Sequence, residues 1–141
     1  MDLQENERSR PTRIPGKVGE DLACRYLEEH GYTIVERNFR AHGAGQIGKN
    51  GKMRPGKIIA ELDIVARQNG TWIFVEVRSR RSDYCGTAAD SITERKLAKL
   101  RLGVAFYVKK HRLAGQPIRL DAICIDFGGE VPALRHIKGI G

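Results

Sequence analysis

Asn69-Gly70 stands between two runs rich in β-branched and aromatic residues, Ile58 to Arg67 and Thr71 to Ser79. An Asn-Gly pair in that setting is a strong hairpin signal, because both central residues of a type I′ turn need positive φ. A two-residue turn also sets the register. Gln68 faces Thr71, and stepping back along both strands places Asp63 opposite Glu76 and Glu61 opposite Arg78. Period-2 alternation puts Glu61, Asp63 and Val65 on one face and Leu62, Ile64 and Ala66 on the other. On the partner strand Trp72, Phe74, Glu76 and Arg78 share a face, so the charged groups of both strands converge.

The rest of the chain arranges itself around this hairpin. Residues 1–15 are polar with Pro11 and Pro15, and read as a disordered N-terminal tail ahead of one domain over residues 16–141. From Lys17 to His30, Val18, Leu22, Ala23, Tyr26 and Leu27 recur at helical spacing, with Gly31 placed to end the helix. Tyr32 to Phe39 reads as a strand. Residues 41–57 hold five glycines and only basic charges, Lys49, Lys52, Arg54 and Lys57, and read as a flexible basic loop. That loop is either a solvated insertion or a cationic flap over a phosphate backbone. After a polar loop, Ser91 to Glu94 forms an S-x-x-E capping box, and Leu97, Leu100, Val104, Tyr107 and Val108 mark a second amphipathic helix ending near His111. Strands over Ile118 to Phe127 and within Ala133 to Lys138 complete an α/β domain.

A length of 141 residues suffices for one core without disulfides or metal. Cys24, Cys85 and Cys124 form no C-x-x-C pair, and the four histidines show no ligand spacing. No apolar run approaches the ~20 residues of a spanning helix, and Met1 to Arg13 lacks the apolar region of a signal peptide. The expectation is a cytoplasmic protein with no membrane partner. The 25 Lys and Arg against 17 Asp and Glu, a formal charge of +8, favour a polyanionic partner, nucleic acid or an anionic membrane surface, between which charge alone does not choose.

Two carboxylates facing each other across an antiparallel pair have Cβ atoms roughly 5 Å apart and repel when not neutralised. A hard divalent cation, Mg²⁺ or Mn²⁺, relieves that repulsion while leaving room for water and a substrate phosphate. The competing reading is a cross-strand ion-pair network of Glu61, Asp63, Glu76 and Arg78 on a solvated face. Trp72 and Phe74 on that face argue for partial cover, and themselves read as core. Asp121, in a mostly apolar strand, fits an edge or strand-end position.

Taken in order, a helix carrying Glu20, the E-L-D of Glu61 to Asp63, the F-V-E-V-R of Phe74 to Arg78, and a helix with Lys96 resemble the PD-(D/E)XK nuclease superfamily. More narrowly, Gly19-Glu20, Gly31-Tyr32, Arg37-Asn38-Phe39-Arg40, E-L-D-I-V-A and F-V-E-V-R-S-R resemble the YraN-like bacterial family, uncharacterised protein family 0102. The resemblance spans about Gly16 to Asp126. It implies a restriction-endonuclease-like mixed β-sheet flanked by helices, similar in fold to archaeal Holliday-junction resolvases. It further implies Asp63 and Glu76 as metal-binding carboxylates, Glu20 as an accessory catalytic acid, and Lys96 as an auxiliary, nucleic-acid-binding base. Two positions depart from the superfamily pattern. Leu62 stands where proline precedes the aspartate, and Arg78 stands where lysine follows E-x. Arginine keeps its charge and offers a planar fork for phosphate, but it does not accept a proton.

The function expected is therefore a Mg²⁺- or Mn²⁺-dependent endonuclease acting on structured or branched DNA. The alternative is a nucleic-acid-binding module without catalysis, and a third class is a protein adaptor whose charge confers solubility. Whether the chain pairs as a homodimer is left open.

Overall fold

The computed structural model describes residues 16–81 and 92–141. In chain order the elements are α1 (Gly16–Glu29), β1 (Thr33–His42), β2 (Gln46–Ile47), β3 (Met53–Arg54), β4 (Ile58–Gln68), β5 (Thr71–Arg80), α2 (Glu94–Lys110), β6 (Ile118–Asp126) and β7 (Ala133–Ile137). The hairpin forms as its turn residues demand, with Asn69 at φ 50° and Gly70 at φ 80°. Its first rungs, Gln68 with Thr71 and Arg67 with Trp72, follow the two-residue turn.

Five strands make one mixed sheet in the order β1-β4-β5-β6-β7, and only β5 and β6 run parallel. Parallel strands need a crossover, and α2 supplies it. The helix buries Leu100, Val104 and Tyr107 against Phe39, Leu62, Val65, Trp72, Phe74 and Leu120. Tyr107 stands edge-on to Phe39 and Phe74, with ring centroids 5.1 and 5.5 Å apart. Buried side chains of this size contribute ~1.5–3 kcal/mol each, so this layer anchors α2 firmly. On the opposite face α1 sets Ala23, Cys24 and Leu27 against Ile64, Ile73, Val75, Ile123 and Ile125. The result is a restriction-endonuclease-like sheet between two helices. No helix among the described residues is long and apolar enough to cross a membrane.

Three expectations change. The stretch 41–57 is not wholly loop: β1 runs on to His42, and β2 and β3 pair as a small antiparallel ribbon. The cap of α2 is Thr93 in place of Ser91, its side chain accepting from the Lys96 N–H at 3.1 Å. Ser91 itself, Cys85 and the tail 1–15 lie outside the described residues. Asp121 is at neither an edge nor a strand end. It lies fully buried within β6, between β5 and β7. There Arg119 grips it through two hydrogen bonds of 2.8 Å, the His136 ring sits 2.8 Å away, and the Gly139 N–H donates at 3.0 Å. Burial alone would raise the Asp121 carboxyl, but these bonds offset it and hold the group down at about 2. Arg119 and Asp121 are two apart on one strand face, and that spacing is the signal that could have announced the pair.

Candidate functional site

The site lies where the central hairpin comes apart. β4 and β5 keep paired residues from Gln68–Thr71 to Ile64–Val75. Beyond that rung β5 follows β6 as far as Arg80, while β4 follows β1 down to Ile58. Asp63 is the first residue past the split. Its Oδ2 accepts from the Val77 N–H at 2.8 Å, taking the place of the missing strand partner.

The other side of β4 is irregular at the same step. Arg37 pairs with Ile64 and Phe39 with Leu62, and Asn38 between them has φ 56°. Asn is among the few residues that tolerate this left-handed region. The reversal swaps faces. Arg37 reaches α1, whereas Phe39 and Leu62 pack against α2 together with Val65. The simple alternation expected for Glu61 to Ala66 therefore breaks at Asp63. Asn38 belongs to the Arg37 to Arg40 motif, but the motif alone does not disclose this role; the poor fit of Asn to a strand is the signal that could have flagged it.

Glu76 remains on the α2 face of β5 and is 5% exposed. The Asp63 charge acts on it, so the two acids lie near one another although the ladder has ended. The Lys96 ammonium, brought in by the first turn of α2, lies 3.6 Å from Glu76 Oε1. Burial, and then the Asp63 charge, push Glu76 up to about 7, against the pull of Lys96 and Arg78. Burial raises Asp63 too, with the Val77 N–H opposing. Each acid therefore makes the other harder to ionise.

Glu20 approaches from the opposite helix. A Cβ at Gly19 would collide with the Ser79 hydroxyl, so glycine is what lets α1 lie this close to the end of β5. Helix α1 is described from Gly16, which puts Glu20 in its second turn. The macrodipole, felt mainly in the first turn, does not account for the acid. Burial and then the Asp63 charge raise Glu20, while Arg37 and a hydrogen bond from Asn38 lower it. Its Oε1 is buried with no hydrogen-bond partner: Arg37 stands off at 3.8 Å from it and makes its short contact, 2.8 Å, with Asp21.

Arg78 is half-buried and close enough to lower Glu76, but the rung that would place it opposite Glu61 does not form. Glu61 instead meets Arg40 of β1 at 3.5 Å. The cross-strand network of Glu61 and Arg78 is therefore absent, and what the fold brings together is Glu20, Asp63, Glu76, Arg78 and Lys96.

A family model described as uncharacterised protein family UPF0102 matches residues 19–125, which takes in all five of these side chains. A UPF0102 protein from Geobacter metallireducens is 36% identical over 122 residues, covering 86% of this chain and 87% of the relative. One from Persephonella marina is 38% identical over 112 residues, with coverages of 79% and 83%. One from Neisseria meningitidis is 33% identical over 125 residues, with coverages of 88% and 94%.

Proposed function

The chain belongs to uncharacterised protein family UPF0102, and from its acid pair we propose that it is a metal-dependent endonuclease acting on structured or branched DNA. The observation that carries this reading is the closeness of Asp63 to Glu76: one half-buried and one buried carboxyl, both made harder to ionise by burial, with the Asp63 charge raising Glu76 further. Burying charged groups costs several kcal/mol each, and an apolar pair of similar size would serve the fold better.

The donor set fits a hard divalent ion. Both donors are carboxylate oxygens, and the described residues contain no group of three His, Cys, Asp or Glu placed to cage a metal. Two protein ligands with the remaining positions left to water and phosphate suit Mg²⁺ or Mn²⁺ and not structural zinc. Asp63 and Glu76 would hold the ion, which when bound supplies neutralising charge at the scissile phosphate.

The chain's own groups supply the rest. The Val77 N–H fixes the orientation of Asp63. Lys96, whose side chain is 38% exposed, balances Glu76 and stays within reach of a phosphate oxygen. Arg78 adds a charged fork for the same phosphate. Glu20, with a buried oxygen that accepts no hydrogen bond and a raised pKa, accepts the proton of the attacking water as the phosphorus–oxygen bond to the leaving strand breaks.

Cleavage of a labelled four-way junction with Mg²⁺ or Mn²⁺ tests the reading. Wild type cleaves weakly, Asp63→Asn and Glu76→Gln lose activity by about 10²-fold or more, and Arg78→Lys cleaves faster with unchanged salt dependence of binding. Activity that survives Asp63→Asn overturns the proposal. Absence of cleavage by both wild type and Arg78→Lys also overturns it, leaving a nucleic-acid-binding module without turnover.

A further inference from the structure

The β2–β3 ribbon has no share in either core cluster. Its two rungs are Gln46 with Arg54 and Ile47 with Met53. Partners on a rung share a face, so Ile47 and Met53 stand side by side on one side of the ribbon. They are 71% and 68% exposed. From Ala41 to Ala60 the chain carries Lys49, Lys52, Arg54 and Lys57 and no carboxylate. The ribbon is nevertheless ordered: the Gly48 N–H bonds the Lys52 carbonyl at 2.8 Å, and the Lys52 N–H bonds the Asn50 side chain at 3.1 Å. At its base the Gly43 N–H bonds the Lys57 carbonyl at 2.8 Å, and the His42 ring meets the Gly56 carbonyl at 3.0 Å.

We propose that this ribbon is an arm that grips nucleic acid at a branch or break in base stacking, with Ile47 and Met53 wedged at the exposed step and the four cations on the flanking phosphates. The inference rests on the nucleic-acid reading of the acid pair and adds to it the residues that choose the substrate's shape. Apolar side chains inserted at a base step partly unstack it. Insertion costs least where pairing or stacking is already interrupted, so the wedge favours branched over continuous duplex. A second protein copy is a poor occupant. A twofold contact sets the same patch on both subunits, and here each cation would face another. The arm is also continuous with the acid pair. A groove lined by Ile58 to Glu61 and by Lys96, Lys99 and Leu100 leads from the base of the arm to the lysine that touches Glu76.

The test uses the full chain with two variants, Ile47→Ser/Met53→Ser and Lys49→Gln/Lys52→Gln/Arg54→Gln. Binding is measured against salt on a four-way junction and on linear duplex of the same sequence, each carrying 2-aminopurine beside the centre. Wild type prefers the junction and raises its 2-aminopurine fluorescence. The serine variant keeps its salt slope but loses both the preference and the fluorescence rise. The glutamine variant keeps the fluorescence rise at saturation, and its slope is shallower by about 0.9 for each phosphate that the arm no longer neutralises. A serine variant that still prefers the junction and unstacks it overturns the wedge while leaving the nuclease reading intact. A serine variant that changes only sedimentation mass overturns it in favour of a second copy. Wild type that binds neither DNA removes the underlying reading itself.

Discussion

Glu76 and Asp121 are both buried carboxyls, and their surroundings drive them in opposite directions. Asp121 is surrounded by donors and stays ionised; Glu76 faces another acid and holds its proton up to about pH 7. The folded chain therefore binds that proton more tightly than the unfolded chain, where the group titrates near 4.5. Stability from this source is complete below pH 4.5 and is lost as pH rises through about 7. Glu76→Gln cannot ionise and escapes the loss. In urea titrations without divalent ions it should exceed wild type at pH 8 by on the order of 2 kcal/mol and approach it at pH 5. An equal pH dependence in both proteins would show that the pair is not strained. This opposition was only half legible in the sequence. The turn residues brought Asp63 toward Glu76, but the partners of Asp121 come from β6, β7 and the segment after β7, and only the spacing from Arg119 was local.

The site depends on two elements that stop behaving regularly. β4 leaves β5 after Ile64, and Asn38 reverses the faces of β1 and β4 at the same level. Strand identity, helix identity and the turn were readable because each rests on neighbours in the chain: an Asn-Gly pair, apolar spacing, a capping hydroxyl. The split was not, because it comes from β5 having a second partner, β6, some forty residues away in the chain. The ribbon at β2 and β3 escaped for another reason. It is held by backbone bonds among glycines and cations, which carry no apolar alternation. The close seat of α1 on β5 gives a test at this scale. Gly19→Ala gains up to ~1 kcal/mol of helix propensity but sets a methyl against the Ser79 hydroxyl, and overpacking of this kind costs ~1–3 kcal/mol. The single variant should be destabilised, and Gly19→Ala combined with Ser79→Ala should recover most of the loss in a double-mutant cycle. Additive effects would mean that α1 does not bear on β5 at Gly19.

At the scale of the molecule, the +8 charge is spread so that cations flank the acid pair: Lys96 and Lys99 on α2, and the basic ribbon beyond β1. Binding to branched or single-stranded DNA should fall log-linearly with salt, and Lys96→Ala should make the slope shallower by about 0.7–0.9, the share of one neutralised phosphate. Affinity that ignores salt would remove nucleic acid as the partner. If Asp63 and Glu76 together form a metal site, calorimetric titration with Mn²⁺ at pH 7.5 reads it out. Wild type should bind one ion per chain, and Asp63→Asn and Glu76→Gln, each still folded, should bind none at the same concentrations. Undiminished binding by both variants would place the ion elsewhere and leave the acid pair without a metal.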